Sequence, residues 1–343
     1  MQPGAPAPLA QPPAPAAPPP ATSRPALRPG AQAPTGGQPP LVNERLRRLD
    51  DLRGQRREIR QGNRTVIQEP GRTIVREGNR NFIRSNEVDR FRVGVGAQNV
   101  RTERRGRDTQ TVIIRPGGEQ IINVIGADGR LIRRSRRGPG GREVVIIDNR
   151  PRRPSSAGFF VRLPPPVIRI PRERYIYELD GGSPEIVYEV LMAPPVERLP
   201  RAYSLDEIRE SSNVRDRMAR VDLDTITFAT GSWEITPDQV DRLAWIADAI
   251  KRAVEQNPNE VFLIEGHTDS VGTNVDNLSL SDRRAESVAL ALTDQFQVPA
   301  ENLTTQGYGE EQLKVQTDGP ERQNRRVTVR RITPLLTGEN VQQ

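Results

Sequence analysis

An acid, Asp269, closes an apolar run, and a base, Arg284, stands near the start of the next helical pattern, with a Gly- and Asn-rich loop between them. Two opposite, well-separated charges around one loop suit a ligand that carries both an ammonium and a carboxylate. The same two residues could instead pair with each other as a structural salt bridge, and residue types alone leave both readings open. Covalent or acid–base chemistry has little to work with. The chain has no cysteine and one histidine, His267, and no serine sits in a nucleophile elbow. An aspartate beside an arginine is held ionised and makes a poor base. A metal centre at His267 needs several further ligands, so His267 is expected to be a hydrogen-bonded loop residue. The residues therefore describe a binder and not a hydrolase, with no catalytic residue, metal or cofactor assigned.

The elements that hold these charges are legible by their periodicity. Residues 260–266 read as a buried strand ending just before His267. Residues 225–228 read as an earlier short strand. Thr236, Pro237 and Gln239 form a helix start, with Thr as cap, Pro at the first position and Gln completing a capping box. Val240, Leu243, Ile246, Ala247, Ile250 and Val254 follow at helical spacing. Ser279 is expected to cap a second helix, with Ala285, Val288, Ala289 and Leu292 facing inward. Residues 303–306 and 327–332 read as two more strands. The order β-α-β-α-β-β predicts an α+β domain with helices on one mixed sheet.

This domain resembles the OmpA-like peptidoglycan-binding domain. The resemblance rests on Gly266-His267-Thr268-Asp269, Gly272, Asn277-Leu278, Leu280-Ser281, Arg284-Ala285, Val288, Gly307-Tyr308-Gly309 and Asn324-Arg325-Arg326-Val327, in order, over residues 221–333. It implies a ligand, the diaminopimelate of the cell-wall stem peptide, bound by Asp269 and Arg284. A carboxylate accepts from the ligand's ammonium, and a guanidinium grips its carboxylate with two parallel bonds. The resemblance also places Asn277 by the ligand, against a plain reading as a turn residue, and lets Arg325 line the same pocket. Thr268 is expected to shape the loop, with its amide open to the ligand, while Arg326 and Arg330 are expected to be exposed strand charges. Two departures stand out. Asp276 occupies a position where many members carry an aromatic residue, and residues 310–314 lack the proline common there.

The rest of the chain is compositionally different. It has 343 residues, 34% hydrophobic and 4% aromatic, which is too little for one core throughout. Residues 1–40 hold 14 Pro and 10 Ala, and residues 1–42 read as a disordered spacer. Residues 43–53 suggest a short charged helix. Within 43–160, Asn63, Gly71 and Asn79 each open a short β-branched or aromatic run at an eight-residue step, which predicts a β-meander. Further strands are expected at 111–114, 120–125 and 143–147. Residues 161–203 read as a Pro-rich connector with two short strands in 175–189. Residues 204–333 form the terminal domain, opening on a helical pattern over 204–220 with a Ser204–Glu207 capping box, and 334–343 a tail.

Charge divides the chain. Residues 41–160 carry 28 arginines against 14 acids, a net +14, and residues 221–343 carry 11 bases against 20 acids, a net −9. A basic middle and an acidic end imply two jobs. The runs at 101–107 and 133–142 could bind nucleic acid or an anionic lipid such as lipopolysaccharide by charge, but aromatics for stacking are nearly absent. A solvated face of the meander is favoured. No apolar run is long enough for a membrane helix, which disfavours a flagellar-stator-like protein, and the N-terminal residues lack a secretory signal pattern. The expectation is non-covalent anchoring to peptidoglycan in a Gram-negative envelope, periplasm or outer membrane, with outer-membrane or envelope proteins as further partners. The localisation rests on the ligand, and the oligomeric state is left open.

Overall fold

The computed structural model describes residues 48–78, 80–93, 97–150, 159–179 and 183–339. The expected spacer over 1–42, and residues 43–47 of the expected first helix, lie outside the described residues. The chain enters at α1 (Leu49–Arg53) and runs into an antiparallel meander of β1 (Arg57–Gln61), β2 (Arg64–Glu69), β3 (Arg72–Glu77) and β4 (Arg80–Ser85). The eight-residue step is thus one strand and its turn, displaced by one residue from the reading above. Gly62 and Gly71 turn the first and second hairpins at φ 62° and 73°, backbone that favours glycine. Ile67, Ile74 and Ile83 line the inner face.

A 3-10 segment, Glu87–Arg92, leads to a second meander. It comprises β5 (Val100–Arg105), β6 (Asp108–Ile114), β7 (Gln120–Ile125), β8 (Leu131–Arg137) and β9 (Glu143–Asp148), again antiparallel in chain order. Strands β5 and β8 coincide with the two arginine runs. In β5 the arginines are exposed, as expected of a solvated face. In β8 they are not all solvated: Arg134 is buried between the second meander and the terminal body.

The terminal body is built from α2 (Arg172–Tyr175), β10 (Ile176–Glu178), α3 (Pro184–Met192), α4 (Leu205–Glu210), α5 (Ser212–Arg215), β11 (Arg220–Asp222), α6 (Pro237–Val240), α7 (Ala244–Gln256), β12 (Phe262–Gly266), α8 (Asn274–Phe296), β13 (Leu303–Gly307), β14 (Val327–Arg331) and α9 (Thr333–Thr337). Its sheet runs β10-β11-β14-β12-β13, with β12 parallel to β13 and antiparallel to β14. The mixed sheet and the β-α-β-α-β-β order from β11 onward match the fold class read from the sequence. Ile246, Ile250, Ala285, Val288 and Leu292 pack on Phe262, Ile264 and Val329 in one core.

Several local expectations are corrected. The first strand of the domain is β11, not residues 225–228, which run as irregular chain beneath α8. Residues 204–220 are not one helix: the Ser204–Glu207 capping box forms as read, but the helix breaks at Ser211 and the chain turns into β11. Gln239 does not complete a backbone capping box. Its amide donates to Thr236 Oγ1 at 3.0 Å and its carbonyl accepts from the Thr227 amide at 2.6 Å, so it staples the irregular segment to α6. Residues 175–189 yield one strand and one helix, and part of the expected tail is α9, with Leu335 buried. Helix α8 starts five residues before Ser279. Its cap is Thr273, whose hydroxyl accepts from the Asp276 amide at 3.2 Å.

The charge asymmetry has an internal purpose. Basic side chains of the meander region meet acids of the terminal body. Arg72 Nε donates to Asp282 Oδ2 at 2.7 Å, Arg90 Nη1 to Glu286 Oε2 at 2.6 Å, and Arg115 Nη1 to Glu301 Oε1 at 2.8 Å. Leu278 of α8 adds an apolar contact under Ile67, Ile74 and Ile83. Part of the positive charge thus neutralises the chain's own helix α8 and the turn before β13.

Two glycines let α8 lie directly on the sheet. A Cβ at Gly266 would sit 1.9 Å from the Ser281 carbonyl oxygen, and one at Gly307 would sit 2.3 Å from the Asp282 amide nitrogen. The obstacles are backbone, so neither can swing aside. Gly266→Ala is expected to destabilise the protein by about 1–3 kcal/mol, as overpacking does, read from the urea midpoint at constant m-value.

Candidate functional site

Residues 267–273 bridge the end of β12 and the cap of α8. Asp269 is almost fully buried there, and its partner is Arg325: Arg325 Nη1 donates to Asp269 Oδ2 at 2.7 Å. The Glu321 amide adds a long contact to the same oxygen at 3.4 Å. Among the described residues Oδ1 receives no hydrogen bond. Arg325 follows the short turn at Arg322–Asn324, and Asn324 fixes that turn by accepting from the amides of Lys314 and Val315 at 2.7 and 2.8 Å. The loop that lacks the proline is thus held by an asparagine side chain.

Arg284 lies in the third turn of α8, not near its start. The guanidinium is 1% exposed. Its Nε donates to the Ser232 carbonyl at 3.0 Å, its Nη2 to the Ala229 carbonyl at 3.3 Å, and the plane lies over the Phe228 ring at 5.0 Å. Nη1 is buried without a partner. Burial pulls this guanidinium down to about 10, neighbouring Arg325 pushes the same way, and Asp269 opposes both. It stays cationic at neutral pH. Asp269 and Arg284 feel one another's charge but do not form the structural salt bridge that residue types alone allowed. Each is held by something else and keeps one polar atom free.

A family model described as the OmpA family matches residues 227–326. The putative lipoprotein YfiB of Escherichia coli is 32% identical over 113 residues, which are 32% of this chain and 68% of YfiB. The chain belongs to the OmpA family. The outer membrane protein Omp38 of Acinetobacter baumannii is 30% identical over 158 residues, 46% of this chain, and the chain spans 40% of the length of Omp38. The peptidoglycan-associated lipoprotein of Buchnera aphidicola is 47% identical over 51 residues, 15% of this chain and 29% of that protein.

Within this OmpA-family domain the remaining site residues divide. Thr268 is buried beside Asp269. Its amide donates to the Gly309 carbonyl at 2.9 Å, so the amide is spent inside the fold, while its hydroxyl has no partner. Asn277 is in the first turn of α8 and donates from Nδ2 to Glu310 Oε2 at 2.7 Å, with its oxygen facing Gly272. It ties the loop after Gly309 to the helix. Asp269, Arg325, Thr268 and Arg284 are drawn together; Asn277 is turned toward Glu310.

Asp276, the departure from the family pattern, is engaged by the entry segment of the chain. It accepts from Arg53 Nη2 at 2.9 Å and Arg56 Nη1 at 2.5 Å. Burial pulls its carboxyl upward, but the two guanidinium bonds outweigh it and hold the pKa below the ordinary range. His267 is fully buried, stacked on Tyr308 at 5.7 Å with Nδ1 unpartnered, and is not the hydrogen-bonded loop residue expected. Burial, then the surrounding guanidiniums, push it well below its ordinary value, so the ring is neutral. Arg326 and Arg330 are buried, not exposed. Arg330 donates from Nε to Glu265 Oε1 at 2.7 Å. Sequence reasoning missed Phe228 and the carbonyls of residues 229 and 232, because it took that segment for a strand. Only the family match to the segment could have signalled them.

Proposed function

We propose that the chain binds peptidoglycan non-covalently, through the ammonium and carboxylate of stem-peptide diaminopimelate, and so tethers an envelope component to the cell wall in the periplasm or at the outer membrane. The observation that carries this reading is Arg284: a buried cation with one free N–H, set beside an acid that is not its partner. A buried charge without an ionic partner is costly, and a ligand carboxylate removes that cost. Asp269 Oδ1 offers the matching acceptor for the ammonium, with Arg325 orienting the carboxylate and Thr268 Oγ1 adjacent. Family membership and a relative named for peptidoglycan association support the ligand class. Binding, and not turnover, fits a site whose acid is engaged with a guanidinium.

The test is co-sedimentation of the full chain with purified sacculi, followed by competition. A soluble stem peptide ending in diaminopimelate should displace the protein, and the same peptide with lysine should not, because lysine lacks the second carboxylate. Equal displacement by both would refute the diaminopimelate reading while leaving wall binding intact. Soluble fragments released during incubation would instead reveal a hydrolase.

A further inference from the structure

A cavity of ≈ 400 Å³ opens away from the Asp269–Arg284 site, between β4 of the first meander and the segment from Gln306 to Lys314 of the terminal body. Its volume suits a small molecule. Among the described residues, several polar atoms of its lining residues have no hydrogen-bond partner. Arg326 is 4% exposed; Nη2 donates to the Gln312 carbonyl at 3.1 Å, but Nε and Nη1 have no partner. Tyr308 is 6% exposed and its hydroxyl is unpartnered. Arg215 stacks over the Tyr308 ring at 4.0 Å, and its Nε has no hydrogen bond, only an ion-pair separation of 3.5 Å from Glu265. Across the cavity, Asn81 Oδ1 on β4 is a buried acceptor without a donor.

We infer that this cavity is a second ligand site, built for a small hydroxylated oxyanion such as a sugar acid or a sugar phosphate. Most of the unpartnered groups on its lining residues are donors, two of the residues being cations, which is what an oxyanion requires. The lone acceptor on the opposite wall matches a ligand hydroxyl. Lys314 and Arg220 add positive charge at the lining, against Glu210, Asp216 and Glu311. Burial raises the carboxyls of Glu210 and Glu311, the former to about 7, so the negative side of this balance is weakened near neutrality. A buried cationic N–H left bare destabilises a fold, and among the described residues nothing accepts from Arg326 Nε or Nη1.

The experiment titrates the full chain with D-glucuronate, inorganic phosphate and neutral D-glucose, by calorimetry and by thermal melting. Both anions should bind, glucuronate the tighter because it also offers a hydroxyl to Asn81, and glucose should not. Arg326→Gln should weaken glucuronate by about tenfold or more, as loss of bonds to a charged group does, and should melt no lower than the parent without ligand. Tyr308→Phe, which keeps the ring, should weaken it by about three- to tenfold and carries the test if Arg326→Gln fails to fold. Asp269→Ala should leave glucuronate binding unchanged, since it belongs to the other site. The inference is overturned if neither anion binds, or if the variants respond as the parent does, which would mark a water-filled cavity and a general salt effect.

Discussion

Asp269→Ala and Arg284→Ala are each expected to lower capture of the chain by purified sacculi by about 30-fold or more, the equivalent of losing one partner of a desolvated charge pair at ~2–5 kcal/mol. The two losses have different physical origins. Removing Arg284 takes away a fully buried cation whose Nη1 has no partner among the described residues, and the ligand carboxylate then meets Phe228 and two backbone carbonyls. Removing Asp269 leaves the ammonium facing Arg325, a like charge released from its partner. Neither change should unfold the domain. Arg284 has no carboxylate partner to strand, and Arg325 is about a quarter exposed and can be hydrated. Melting curves close to the parent's, together with lost capture, are the expected pair of results. Capture at the parental level in both variants would remove these residues from the site.

Glu87→Ala is expected to destabilise the fold by about 3–5 kcal/mol, the cost of breaking a buried ion cluster from one side. Glu87 is the acceptor around which the parts of the chain close. Its carboxylate takes Arg134 Nη2 at 2.5 Å, Arg209 Nη2 at 2.7 Å, Thr304 Oγ1 at 2.8 Å and the Thr305 amide at 3.1 Å, with Arg90 at 3.5 Å. Burial alone pushes its pKa up, but Arg134, Arg209 and Arg90 together overcome that and hold it far below the ordinary carboxylate range. The pH consequence follows in sign. The folded form is the poorer proton binder, so the stabilisation is complete above the ordinary glutamate value of about 4.3 and is lost as pH falls through the folded value. Urea midpoints at neutral pH and on acidification below pH ~4 should show a steep acid limb in the parent and a shallower one in Glu87→Gln. Parallel acid limbs would mean that other carboxylates govern acid unfolding.

Much of the terminal sheet was readable because its strands and helices carry full apolar periods: residues 260–266, the face from Leu243 to Val254, and the face from Ala285 to Leu292. The family elements added Asp269 and Arg284. What escaped has a common cause. Ser279 looks like a cap, but the helix had already begun at Thr273, whose hydroxyl does the capping. Strand β8 was hidden because one of its inward positions is Arg134, an arginine made buriable by Glu87, a partner distant in sequence. Residues 225–228 have strand composition but run as irregular chain that brings Phe228 and two carbonyls to Arg284. Long-range ion pairing leaves no periodic trace, and the solvated face expected of the meander arginines holds for β5 but not for those that pair with the terminal body.

The chain enters its described body at Arg48, which forms a β-bridge with Ser232, while the Leu49 amide donates to the Gly231 carbonyl at 2.8 Å. Ser232 is also the residue whose carbonyl holds Arg284. The entry at Arg48 is therefore joined to the Arg284 guanidinium through a single short loop, reinforced sideways by Arg53 and Arg56 on Asp276. Under the proposed tethering, tension applied at Arg48 would load these few bonds together, along with the Arg56–Glu69 pair that ties β2 to the same place.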